Sequence, residues 1–132
     1  MTDSTMNSNM NNFINYISVY IKNNLSNKVN ITVIKNTNGN KKTTPTYCQS
    51  GSFIYYIYDK FNNIIYIGET GTSIKNRLFN HGSGAHKSKY WFKHASYIRY
   101  FKDNNMTVDE RKLIERALIL KYRQIYKLYN KE

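Results

Sequence analysis

PheIleTyrTyrIleTyrAspLys (53–60), PheAsnAsn (61–63), IleIleTyrIleGlyGluThr (64–70) and GlyThrSerIleLysAsnArgLeu (71–78) form one unbroken stretch of the chain. Residues 53–58 and 64–68 are dense in β-branched and aromatic side chains, so both read as strands. Lys60, Phe61, Asn62 and Asn63 lie between them, and asparagine tolerates the positive φ of a tight turn. The direct reading is a β-hairpin. Successive strand residues point to opposite faces. An even-numbered loop therefore puts Tyr55, Tyr66 and Gly68 on one face, with Tyr55 opposite Gly68 and roughly 7–8 Å from Tyr66 along the diagonal. Two phenols then converge over a residue without a side chain. A face lined with packing tyrosines gives the same pattern, and the chain holds 13 of them.

At 132 residues the chain suits one domain with its own core. Its formal net charge is +12, and the surplus is not confined to a tail: residues 53–132 carry 15 basic and 7 acidic side chains. Such a distribution favours a polyanionic partner, nucleic acid or an anionic membrane surface. The single Cys48 excludes an intrachain disulfide and a cysteine-rich zinc site. No apolar run approaches the ~20 residues of a membrane span, and the polar start MetThrAspSerThrMetAsn lacks the pattern of a signal peptide. The expectation is a soluble, intracellular protein.

Residues 1–12, polar and rich in asparagine, are expected to be disordered. Residues 13–25 place apolar groups at 13, 14, 17, 20, 21 and 25, one face of an amphipathic helix. Residues 29–35 alternate like a strand, and 36–45 read as a loop. These segments make an N-terminal extension over 13–50, ahead of a domain over 51–132. Beyond the hairpin, Ser73 can cap a helix running to Asn80, in which Arg77 and His81 share a face. Residues 81–94 form a basic loop interleaved with aromatics, suited to phosphate contacts by Lys87, Lys89 and Lys93 and to stacking by Tyr90. Trp91 reads better as a core anchor. His86 and His94 read as loop or phosphate-contacting residues, since their spacing fits no zinc pattern. A third strand follows at 95–101. Thr107 and Glu110 form a capping box for a helix whose apolar face runs through Leu113, Ile114, Ala117, Leu118 and Leu120. Glu115 lies within that run, with Arg111 four residues before it.

Taken in order, these residues resemble the GIY-YIG nuclease superfamily over roughly 53–130. Tyr55 stands in PheIleTyr, eleven residues before the Tyr66 of TyrIleGly. Thr70, Arg77 and His81 follow, then Glu115 in a helix and Asn130 in LeuTyrAsn. The resemblance implies a small α+β fold: a central, mainly antiparallel three-stranded sheet flanked by helices, here with an extra N-terminal helix and a possible further strand. It implies hydrolysis of DNA phosphodiester bonds, duplex or single-stranded, with one divalent metal, Mg2+ or Mn2+. Glu115 would be the only protein ligand of that metal, and Arg77 would hold a phosphate oxygen. Tyr55 would take the proton of the attacking water, with Tyr66 and His81 orienting or sharing that role. Lys75 would contact the nucleic acid, and Asn130 would position a phosphate or the end of the glutamate helix. Phe53 replaces the glycine of the first triplet, and Glu69 stands where many relatives have lysine. These two departures leave open a nucleic-acid-binding module impaired in catalysis.

Overall fold

The computed structural model describes residues 2–37, 44–80 and 84–130. At its centre lies β2 (Phe53–Tyr58), flanked by β3 (Ile64–Thr70) on one side and β4 (Tyr97–Lys102) on the other. All pairings are antiparallel. The continuous apolar run of β2 fits this position, because a central strand covered on both faces has no side to leave polar. Ile54, Tyr56, Ile64, Ile67 and Phe101 form one core with the helices. Phe53, Tyr55, Ile57, Ile65 and Ile98 form a second core on the opposite face.

The hairpin has the register that side-chain parity requires. Tyr55 pairs with Gly68 and Ile57 with Tyr66, before a one-residue shift at Tyr58. Asp59 closes the turn by accepting from the Phe61 and Asn63 amides, each at 2.9 Å. Asn62 adopts the left-handed φ of 69°.

A fourth strand, β1 (Val29–Asn30), pairs with β4 and makes the sheet four-stranded. The expected strand over 29–35 is thus only two residues long. From Ile31 the chain turns into α2 (Ile31–Asn36). That helix buries Ile31 and Ile34 one turn apart and leaves Val33 about half exposed; a strand would have divided the two isoleucines between faces.

α1 (Thr2–Asn23) begins well before the amphipathic pattern and takes in residues expected to be disordered. Nothing between 2 and 23 breaks a helix, since the segment has neither glycine nor proline. Among its described side chains, Ile17 and Ile21 in the second half reach the helical core. α3 (Val108–Tyr122) starts at the expected capping box, with Thr107 Oγ1 accepting from the Glu110 amide and Glu110 accepting from the Thr107 amide. Its buried stripe is Ala117, Leu118 and Ile119; Leu113, expected on that stripe, is exposed.

β3 is an edge strand, and the C-terminal tail covers it. The Tyr129 amide donates to the Ile65 carbonyl at 2.8 Å. The Asn130 carboxamide accepts from the Ile67 amide at 3.0 Å and donates to its carbonyl at 2.7 Å. One side chain thereby copies the hydrogen-bonding pattern of a neighbouring strand. Among the described residues no helix is long and apolar enough to cross a membrane.

Candidate active site

Tyr55 leaves the middle of β2 and crosses directly over Gly68. A Cβ built on that glycine would lie 2.3 Å from the phenol ring, so only glycine leaves room for it. Tyr55 is a buried residue, and its hydroxyl lies 2.6 Å from His86 Nε2. Burial, followed by the neighbouring Tyr66, raises its pKa well above the ordinary phenol value, with Arg77 opposing. Tyr66, from β3, sets its ring edge-on to His86 at 4.6 Å and stacks on Trp91 at 4.8 Å. Trp91 is buried, as the reading of it as an anchor requires.

His86 occupies a short helical turn, His86–Ser88, and is 1% exposed. Its Nδ1 is buried with no hydrogen-bond partner among the described residues. Burial, then the charges of Arg77 and Lys89, lowers its pKa to about 3, so the imidazole is neutral at physiological pH. Sequence reasoning had assigned His86 to a loop or a phosphate contact. No spacing ties it to Tyr55, 31 residues away, and only the fold reveals the pair.

Arg77 projects from a π-helical turn, Asn76–Asn80, anchored by buried Leu78 and Phe79. Ser73 accepts from the Asn76 amide at 3.0 Å, the cap expected of it. The guanidinium donates to the Gly84 carbonyl. Its charge lowers the pKa of Tyr55, Tyr66, His86 and Glu115, as a secondary influence behind burial in each case. His81 lies outside the described residues.

Glu115 comes from α3 and reaches the edge of β3. Its carboxyl is pushed up to about 7, chiefly by burial and then by the charge of Glu69; Lys112, a hydrogen bond from the Glu69 backbone and Arg77 act in the other direction. Its charge also raises the pKa of both phenols. Two tyrosines, a guanidinium and a carboxylate, distant along the chain, thus share one electrostatic environment.

Glu69, the departure beside TyrIleGly, has a partner of its own. Arg111 Nε donates to Glu69 Oε1 at 2.8 Å, and its Nη1 donates to Ser52 Oγ at 2.9 Å. The guanidinium fills the space left by Gly71, where a Cβ would lie 2.7 Å from it. Arg111 precedes Glu115 by four, the less favourable order for a helical ion pair, and its salt bridge is made to Glu69 across elements.

The remaining candidates are dispersed. Lys87, Lys89 and Lys93 are exposed, as is Tyr90. Lys75 donates to the Thr37 carbonyl, and the Asn130 carboxamide is engaged at both ends by Ile67. Lys75 keeps two further ammonium donors, whereas the Asn130 carboxamide is committed to the edge strand.

Among the described residues no three His, Cys, Asp or Glu side chains form a cluster able to hold a metal ion. A single hard carboxylate nevertheless fits Mg2+ or Mn2+, which keep most of their water ligands. A carboxyl with a raised pKa beside a second acid is also a site that a cation would relieve.

The family model described as the GIY-YIG catalytic domain matches residues 51–130. No curated protein and no solved structure matches the chain. The matched span covers more than half of the sequence and contains β2, β3, β4 and α3 with every candidate residue named above. The chain belongs to the GIY-YIG family of nuclease catalytic domains.

Proposed function

We propose that this chain is an endonuclease that hydrolyses DNA phosphodiester bonds with the help of one divalent metal ion. The observation that carries this reading is the buried hydrogen bond between Tyr55 and His86, 2.6 Å long, lying within the field of Arg77 and Glu115. A phenol pushed above its ordinary pKa is a poor base by itself. Joined to a neutral imidazole, it can accept a proton from the attacking water while passing its own to His86 Nε2. The water oxygen then forms its bond to phosphorus as the bond to the leaving oxygen breaks. His86 resists protonation partly because Arg77 and Lys89 are near. An arriving phosphate, being negative, offsets those charges at the step that needs the proton taken up.

Arg77 would hold a phosphate oxygen through the guanidinium donors that its bond to the Gly84 carbonyl leaves over. Tyr66, fixed between His86 and Trp91, orients the imidazole. Glu115 would hold Mg2+ or Mn2+, which supplies positive charge for the crowded phosphorus centre.

The test is cleavage of plasmid and of single-stranded DNA, with Mg2+ and with EDTA. Wild-type protein is expected to cut only with the metal, and Glu115→Ala to lose cutting by at least ~100-fold while still binding DNA. Undiminished cleavage by that variant overturns the metal assignment. The second reading, a binding module without turnover, is favoured by one observation: position 69 carries an acid clamped by Arg111. Tight DNA binding by wild-type protein with no cleavage under any metal establishes it.

A further inference from the structure

A groove of about 840 Å3 opens beside the hairpin turn, between β1–α2 and the 3-10 turn Tyr90–His94. That volume falls within the ~300–1,000 Å3 typical of ligand clefts. Phe61, Lys60, Lys93, His94 and Tyr129 line it, and Phe61 is 71% exposed. Asp59 also borders it, but one carboxylate oxygen is engaged by the hairpin amides.

The groove and the catalytic pocket are two ends of one row of rings. Tyr66 stacks on Trp91 with planes 15° apart, and Trp91 on Tyr129 at 5.9 Å and 10°. Tyr129 in turn lies parallel to His94 at 6.3 Å and 6°. The row begins at a proposed catalytic phenol and ends in a cleft bearing an exposed aromatic ring and two lysines.

We propose that this groove is a subsite for an unstacked nucleobase of the strand being cut, so that the substrate is single-stranded DNA or carries a single-stranded segment. The inference rests on the nuclease reading given above. A base has a flat π-face of either sequence identity, which an exposed phenylalanine and a row of parallel rings accept without readout of its edges. Lys60 and Lys93 are placed to neutralise the flanking phosphates. A stacked duplex cannot supply that base without unpairing it, so affinity for blunt duplex should be the lower of the two.

The experiment uses an oligonucleotide with 2-aminopurine walked through successive positions, single-stranded or annealed to its complement, titrated with the full chain in EDTA. Fluorescence anisotropy reports affinity, and 2-aminopurine intensity reports stacking. The expected result is tighter binding of the single strand, with quenching at one or two positions. Phe61→Ala should weaken single-strand binding roughly tenfold and relieve the quenching, with His94→Ala acting in the same direction. Phe61 is exposed at a hairpin tip, so its replacement leaves the core intact, and an unchanged thermal midpoint verifies this. Equal affinity for both forms without quenching overturns the subsite, as does a Phe61→Ala variant that matches wild type in both signals. Failure of the wild-type protein to bind any DNA at low salt overturns the nuclease reading itself, which separates the two.

Discussion

A Cβ at position 68 would overlap the ring of Tyr55, and the ring cannot move aside because its hydroxyl is tied to His86. Gly68→Ala should therefore cost about 1–3 kcal/mol of stability, as overpacking in a closed core does. Chemical denaturation measures this, and an unchanged midpoint would mean that the phenol is loosely held. His86 makes a prediction of a different kind. The unfolded chain takes up a proton near the ordinary 6.5, whereas the folded imidazole refuses it until about 3. The folded state therefore loses stability as pH falls through that window, and has its full contribution above it. Between about pH 7.5 and about pH 5 the loss should be ~2 kcal/mol. Glu115, whose carboxyl is raised, acts with the opposite sign in part of the same range. The comparison of wild type with His86→Gln isolates the imidazole: the variant should show the flatter acid limb in urea denaturation followed against pH.

At the scale of elements, the tail and the edge strand depend on each other. Asn130 supplies both a donor and an acceptor to Ile67, and the Tyr129 amide adds a third bond two residues along β3. Asn130→Ala should destabilise the chain by ~1–3 kcal/mol, because it leaves an amide and a carbonyl of the strand without their partners. Hydrogen exchange at the Ile67 amide is the direct measurement, and protection equal to wild type would show that water replaces the carboxamide at no cost. The same comparison shows where elements can be read from sequence. The hairpin was legible because parity and turn chemistry are local, and the α3 cap because Thr107 and Glu110, three residues apart, bond to each other. The fate of residues 31–36 was not legible: Ile31, Val33 and Ile34 satisfy a strand or a helix equally, and the choice is made by the core that receives the two isoleucines. Leu113 carries the same lesson, since an apolar residue on a helix turns inward only where a neighbouring element covers it.

For the whole molecule the governing quantity is charge. A net +12 with Lys87, Lys89 and Lys93 exposed on one short segment predicts DNA affinity that falls steeply with salt. Each phosphate contact removed should reduce the log–log slope by about 1, so alanine at all three positions should flatten it by about 2–3. A slope indifferent to that triple substitution would place the electrostatic contact elsewhere on the surface. The composition made a polyanionic partner legible at this scale. Tyr55, Tyr66, Arg77 and Glu115 can be nominated from the sequence as a set of types in order, whereas the pairing of His86 with Tyr55 cannot, because it is set by the path of the chain between β3 and β4.

The clamp of Arg111 on Glu69 carries an evolutionary corollary. Lysine at 69 alone would press a second cation against a guanidinium already confined between Ser52 and Gly71. The acid, the arginine and the small residue beside them are consequently expected to change together. A sequence of this lineage with lysine after the TyrIleGly triplet should accordingly lack the arginine on the facing helix.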